Sequence, residues 1–97
     1  MKKFELYVGC NVDGKPEYTV DYVRFACKRA LEVLGFSGAT FTEAVGLWEG
    51  VQEHTVICMI CTDKPYSEVY NLACWIKHQL KQESVMLVAS DPIIEFV

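Results

Sequence analysis

The chain has 97 residues, of which 52% are hydrophobic, and its formal net charge at pH 7 is −4. This acidic balance, with no cluster of basic residues, argues against a surface that binds a nucleic-acid backbone. No apolar run approaches the roughly 20 residues of a membrane-spanning helix. The length predicts one domain over residues 1–97, built around a single core.

The N-terminal residues and the cysteines favour a cytoplasmic location. Residues 1–4 lead into an alternating pattern without the apolar region and cleavage site of a secretory signal. The five cysteines are an odd number and all lie in apolar periodic segments, which is typical of reduced, buried thiols. Cys58 and Cys61 are three apart in a predicted strand, so they point to opposite faces and we predict no metal site.

The first part of the chain predicts a strand, a turn and a helix. Apolar residues alternate from Phe4 to Val12, a period of two that places five apolar side chains on one face of a sheet. Residues 13–16 have the composition of a turn. Thr19 can cap a helix in which apolar residues recur at spacings of three and four, and Gly35 can end it.

Two strands with a polar connection follow. Residues 39–48 are rich in β-branched and aromatic side chains, and we predict a strand there. Residues 49–53 are predicted to form a loop. Residues 55–61 are apolar on both faces, which is typical of a central strand covered on both sides.

The last part predicts a second helix, a final strand and an apolar tail. Pro65 suits the start of a helix, and residues 85–89 are predicted to be a strand. Residues 91–97 are too apolar for a free terminus, so we expect them to pack on their own sheet or on the edge of a neighbouring copy. The buried stripe of the second helix is predicted to contain Val69, Leu72, Ala73, Ile76 and Leu80.

This order of elements predicts the ferredoxin-like α+β fold. In the βαββαβ arrangement, one antiparallel sheet carries two helices on one face. The other face then has no cover within the chain. We therefore expect a closed assembly of copies, such as a homotrimer, to bury it.

The segment over residues 43–55 is a candidate ligand-binding site, because carboxylates, glycines and an indole lie around one strand end. The face of Trp48 and the carboxylates of Glu43 and Glu53 attract a cation, while Gly46 lets a ligand approach the main chain. The alternative is a solvated hairpin with a tryptophan at an interface. Neither nucleotide-binding glycine motif occurs, and the two histidines have no evident nucleophile beside them.

Four short motifs in the second half of the chain carry a family resemblance. They are Glu53-x-Thr55-Val56, Cys61-x-Asp63-Lys64, Asn71-x-Ala73 and the run from Gln82 to Val88. These motifs resemble the S-adenosylmethionine (SAM) lyases of some phages, and the resemblance covers about half of the chain. The first half also resembles small uncharacterised bacterial and viral families with the same strand order.

The resemblance implies a PII-like trimer with sites between subunits. It also implies cleavage of SAM, or of its AMP adduct SAM-AMP, to a methylthioadenosine product and homoserine lactone, without a cofactor. Compact relatives that act on SAM-AMP imply a role in switching off type III CRISPR signalling. The resemblance implies that Glu53 is the catalytic carboxylate and that Trp48 is an aromatic contact to the substrate. Further candidate substrate-binding residues are Gly46, Glu43, Gln52, Gln82 and Glu83.

Two other functions remain open at this point. One is a non-catalytic PII-like oligomer that binds or sequesters an adenine nucleotide. The other is a purely structural protein whose apolar faces serve assembly.

Overall fold

A computed structural model describes residues 1–97. Neither of its helices has the length and apolar character needed to cross a membrane. The elements in chain order are β1 (Lys2–Gly9), β2 (Asn11–Val12), β3 (Lys15–Pro16), α1 (Val20–Val33), β4 (Thr40–Trp48), β5 (Val51–Thr62), α2 (Tyr66–Gln79) and β6 (Met86–Ser90).

Four strands form one antiparallel sheet in the order β4-β5-β1-β6. β5 is the longest strand and pairs with β1 along the whole length of β1, with Lys2 opposite Thr62 and Gly9 opposite Thr55. This order, with α1 and α2 packed on one face, confirms the predicted ferredoxin-like α+β fold.

The core lies between the helices and one face of the sheet. Alternate residues of β1 and β5 supply its sheet side, because successive side chains of a strand point to opposite faces. Cys27 and Cys58 are among its fully buried residues, and no polar or charged side chain is buried. All five residues predicted in the stripe of the second helix belong to the 17-residue core, together with Phe4, Leu6, Val8, Val23, Val56 and Ile60. Four of the five are less than 2% exposed, and Ala73 is 7% exposed.

The ends of α1 follow the predicted signals. The Thr19 hydroxyl accepts a hydrogen bond from the Tyr22 amide at 3.1 Å. At the other end Gly35 has φ of 77°, and the amides of Gly35 and Phe36 donate to the carbonyls of Glu32 and Leu31. This is a Schellman motif, which ends the helix and turns the buried Phe36 ring into the core.

The predicted loop over residues 49–53 is wrong. Glu49 and Gly50 have φ of 48° and 80°, the backbone of a tight two-residue hairpin in which Trp48 pairs with Val51. β5 therefore begins at Val51, and Glu53 lies within a strand. Polar residues misled the sequence interpretation, because the outer end of a hairpin is solvated on both faces.

A second small hairpin replaces the simple turn predicted after the first strand. Asp13 and Gly14 have φ of 52° and 75°, and they join β2 to β3. β1 accordingly ends at Gly9, earlier than the alternating pattern indicated.

The face of the sheet opposite the helices is open in the single chain. Ile57 and Met59 are half-buried there, and the Val88 side chain is 36% exposed. Residues 91–97 form no strand, and the Ile93 and Phe96 side chains are 93% and 83% exposed. The prediction that this tail packs on its own sheet is wrong, while packing on a neighbouring copy stays a prediction.

Candidate functional site

A cavity of about 780 Å³ lies at one end of the open sheet face. Three structures meet there: the outer end of the β4–β5 hairpin, the small β2–β3 hairpin and the connection from α2 to β6. Its floor is formed by residues of β1 and β5 that point away from the helices, including Tyr7, Gly9, Glu53 and Thr55.

The carboxylate of Glu53 lies at the centre of this floor. Its Oε2 atom accepts a hydrogen bond from the Asn11 amide at 3.0 Å. The side chain is half-buried, yet it belongs to none of the four ion pairs of the structure. A half-buried carboxylate that has one hydrogen bond and no cationic partner favours the binding of a positively charged ligand.

Two glycines make room around this carboxylate. A Cβ atom at Gly9 would lie 2.3 Å from Glu53 Oε2 and 2.4 Å from its Cδ, so the carboxylate occupies the space that any side chain at residue 9 would fill. Gly46 lies opposite Glu53 on β4, and a Cβ there would be 3.1 Å from the Thr55 hydroxyl. The missing side chains keep the floor of the cavity low on both sides of Glu53.

The β4–β5 hairpin supplies an apolar wall. Its tight turn pairs Trp48 with Val51, and both side chains line the cavity. Trp48 is 56% exposed although its indole is large and apolar. An exposed tryptophan face can stack on a planar ring or attract a cation.

The connection from α2 to β6 supplies the opposite wall. Gln82 and Glu83 line it, together with Lys81, whose φ is 53°. The side-chain amide of Gln82 donates to the carbonyl oxygens of Asn11 at 3.0 Å and of Leu80 at 3.1 Å. This wall is thereby tied to the small hairpin.

The lining of the cavity is acidic. Glu53 shares it with three further acidic side chains and a single lysine. The Cys10 thiol lies next to it but is buried, and its pKa is raised, first by burial and then by the charges of Glu53 and Glu43. A thiol held protonated in this way is a poor nucleophile.

Four of the seven predicted site residues line the cavity, namely Trp48, Glu53, Gln82 and Glu83. Gly46 borders it through its pairing with Glu53. The other two are placed elsewhere in the single chain. Glu43 lies on the helix-facing side of β4, where Arg24 Nη1 is 2.8 Å from its carboxylate, and Gln52 is exposed on the same side.

Sequence reasoning missed Tyr7, Gly9 and Asn11. The signal for Gly9 was a glycine inside an otherwise alternating strand, which marks a close approach of another group. Asn11 acts through its main chain, and Tyr7 looked like an ordinary half-buried strand residue. No group of three or more His, Cys, Asp or Glu side chains is arranged to hold a metal ion.

Comparison with known proteins gives a likeness to a solved structure. No protein-family model matches this chain, and no curated protein matches it. Among solved structures, a phage SAM lyase in its apo state superposes with a TM-score of 0.81 at 26% sequence identity, over 92% of this chain and 78% of that chain. The chain thus has the fold of a phage SAM lyase and is similar to that enzyme over nearly its whole length.

Proposed function

We propose that this protein is a lyase that cleaves the sulfonium of S-adenosylmethionine. The observation that carries the proposal is the Glu53 carboxylate, which has no cation partner within the chain and lies in an acidic cavity. The likeness to a phage SAM lyase supports the same activity. SAM carries two positive centres, a sulfonium and an α-ammonium group, and an acidic lining attracts both.

The proposed chemistry is an intramolecular displacement. An oxygen of the substrate's own carboxylate bonds to the γ-carbon of the methionine chain, while the bond from that carbon to sulfur breaks. The electron pair of the broken bond stays on sulfur, so methylthioadenosine leaves as a neutral thioether. The other product is homoserine lactone, which keeps the ammonium charge. No proton moves, and the protein needs to supply only a folded substrate conformation and the surrounding charge.

Glu53 is better suited to the α-ammonium group than to the sulfonium. The sulfonium loses its positive charge in the transition state, so an anion beside it would stabilise the ground state more than the transition state. The ammonium keeps its charge throughout the reaction. A carboxylate that holds the ammonium can therefore orient the neighbouring substrate carboxylate without opposing the displacement.

Trp48 suits the other parts of the substrate. Its exposed indole lies on the apolar side of the cavity and offers a face to the adenine ring or to the sulfonium methyl group.

The charges favour SAM over its AMP adduct. The adduct adds a phosphate charge, and four acidic side chains and one lysine face the cavity within one chain. Like charges in a partly enclosed site oppose binding. A role in ending type III CRISPR signalling would require cleavage of SAM-AMP, which in this proposal is the less favoured of the two substrates.

We also propose that copies of the chain associate, as a homotrimer with sites between subunits. The open sheet face and the apolar tail of residues 91–97 support this, because both leave hydrophobic side chains exposed to water. The cavity opens onto the same face, so a neighbouring copy would form part of its enclosure.

Product analysis tests the activity. Purified protein is incubated with SAM and, separately, with SAM-AMP, and the products are identified by mass spectrometry. We expect equal amounts of methylthioadenosine and homoserine lactone from SAM, with slower cleavage of the adduct. Absence of a methylthioadenosine product from both substrates would exclude the lyase, and faster cleavage of the adduct would assign it as the substrate.

The second candidate is a non-catalytic PII-like protein that binds an adenine nucleotide. The observation in its favour is that the cavity contains no evident acid–base pair or nucleophile. Calorimetry with SAM, followed by recovery of the ligand, separates the two functions. Binding with the ligand recovered intact would support the second candidate, whereas recovery of cleaved products would reject it.

A further inference from the structure

A chain of hydrogen bonds connects one wall of the cavity to its floor through Asn11. Gln82 Nε2 donates to the Asn11 carbonyl oxygen at 3.0 Å, and the Asn11 amide donates to Glu53 Oε2 at 3.0 Å. The Asn11 side-chain amide also reaches the Gln52 carbonyl oxygen, at 3.5 Å. The main chain of Asn11 is therefore held between the α2–β6 connection and the first residues of β5.

The amide nitrogen of Gln82 has no hydrogen left for a ligand in this arrangement. A glutamine side chain has two N–H donors, and those of Gln82 are directed to the carbonyls of Asn11 and Leu80. Gln82 is half-buried although it lines the cavity. Its donors serve the protein's own main chain.

The hairpin that contains Asn11 depends on such contacts. β2 and β3 have two residues each and form a sheet of their own, and a two-stranded hairpin of this size has little stability by itself. The amides of Glu17 and Tyr18 secure the far side of the hairpin by donating to the Cys10 carbonyl. Gln82 is the side chain that secures Asn11 from the side of the α2–β6 connection.

We infer that Gln82 is a positioning residue: by donating to the Asn11 carbonyl it holds the main chain whose amide, at the same residue, binds the Glu53 carboxylate. The expected effect of Gln82 on catalysis rests on the proposed function. Its expected effect on the position of the Glu53 carboxylate rests on the hydrogen bonds alone. Without Gln82, the Asn11 main chain loses its hydrogen bond to the α2–β6 connection, while the bonds from Glu17 and Tyr18 to the Cys10 carbonyl remain. The carboxylate then keeps its charge but loses its fixed direction toward the substrate's ammonium group.

A double-mutant cycle tests the catalytic consequence. Gln82→Ala is expected to lower kcat/KM for SAM about tenfold, mainly through kcat, because misplacement of a fixed charged group has effects of this order. In the Glu53→Gln background the same substitution should change kcat/KM by less than about twofold, since its effect passes through Glu53. Gln79→Ala, at the end of α2, is the control and should match the wild type.

An equal loss in both backgrounds, or a loss confined to KM, would overturn the inference, because it would indicate a general structural role or a direct substrate contact.

The amide signal of Asn11 in a ¹H–¹⁵N NMR spectrum tests the structural consequence without any turnover. Glu53→Gln replaces a charged acceptor by a neutral one and should move this signal upfield. Gln82→Ala should move it in the same direction, and Gln79→Ala should leave it in place. An Asn11 signal unchanged by Gln82→Ala would overturn the inference. If the wild type cleaves no SAM, the proposed function fails, and this measurement still decides whether Gln82 positions Glu53.

Discussion

The position of the Glu53 carboxylate depends on the absence of a side chain at Gly9. The carboxylate of Glu53 lies where a side chain at residue 9 would be, and it is bound there by the amide of Asn11. The atoms that a side chain at residue 9 would meet are all at the flexible end of the Glu53 side chain, so the strands could stay in place while the carboxylate moved away from the Asn11 amide.

Gly9→Ala is expected to displace the Glu53 carboxylate and to lower SAM turnover about tenfold or more, since an added methyl group cannot share its space. Gly38→Ala is a matched control, because a Cβ at Gly38 has no atom within 4 Å. Steady-state kinetics on both variants checks the prediction. Wild-type turnover by Gly9→Ala would remove this carboxylate position from the mechanism.

Two core thiols predict a pH dependence of stability. Burial raises the pKa of Cys27 and of Cys58 to about 12, from a usual value of 9.0. Above pH 9.0 the unfolded chain loses these protons while the folded chain keeps them, so the free energy of unfolding falls as the pH rises toward 12. Denaturant titrations across this range should show the decline.

The control for this prediction removes one of the two thiols. Cys27→Ala should make the decline shallower, whereas Cys74→Ala, which removes a half-buried thiol, should not. Identical pH profiles for Cys27→Ala and the wild type would contradict the assigned cause.

The sequence was informative about side chains and less so about main-chain contacts. Trp48 and Glu53 stood out because an indole and a carboxylate near glycines have recognisable chemistry. Asn11 could not be identified, since its role depends on an amide that β-pairing brings near residue 53. Glu43 looked equivalent to Glu53, and only the strand register places it on the other side of the sheet.

Local signals in the helices were reliable because they involve neighbouring residues. Thr19 and Gly35 lie where capping preferences predict, and their roles need no knowledge of the tertiary structure. Pro65 lies directly before α2, one residue earlier than the first helical position that proline favours. The hairpin at Glu49 and Gly50 was missed because its polar composition also fits a longer loop.

Gly50→Ala tests the importance of this hairpin. Gly50 has φ of 80°, and a non-glycine residue in that conformation costs about 1 kcal/mol, so the free energy of unfolding should fall by roughly that amount. Gly50→Asn should cost less, because asparagine tolerates left-handed backbone. Chemical denaturation measures both, and equal losses would argue against the backbone explanation.

The arrangement of the four main strands followed from their order, while a cover for the open face is not supplied by the single chain. Hydrophobic side chains on both faces of β5 indicated two covers, and the single chain provides one. A sequence does not specify the geometry of a neighbouring copy, so the trimer stays a proposal. The exposed tail of residues 91–97 belongs to the same question.

Val88→Lys tests association through the open face. Light scattering of the wild type is expected to give a mass above the monomer value of 11.0 kDa. A lysine at residue 88 should shift that mass toward the monomer, because it would place a charge in the proposed interface, on a side chain that is 36% exposed in the single chain. Val33→Lys, on the exposed side of α1, should leave the mass unchanged. A wild-type mass of 11.0 kDa would contradict the proposed assembly.

The most direct test of the central claim compares methylthioadenosine formation from SAM by the wild type, Glu53→Gln and Glu43→Gln. We predict that Glu53→Gln lowers the rate about 100-fold or more while the assembly is preserved, because it removes the one cavity carboxylate fixed by the main chain. Glu43→Gln should stay within about threefold of the wild type, because exposed ion pairs such as that with Arg24 contribute little. Equal rates for Glu53→Gln and the wild type would contradict the claim that Glu53 is the functional centre of a SAM lyase.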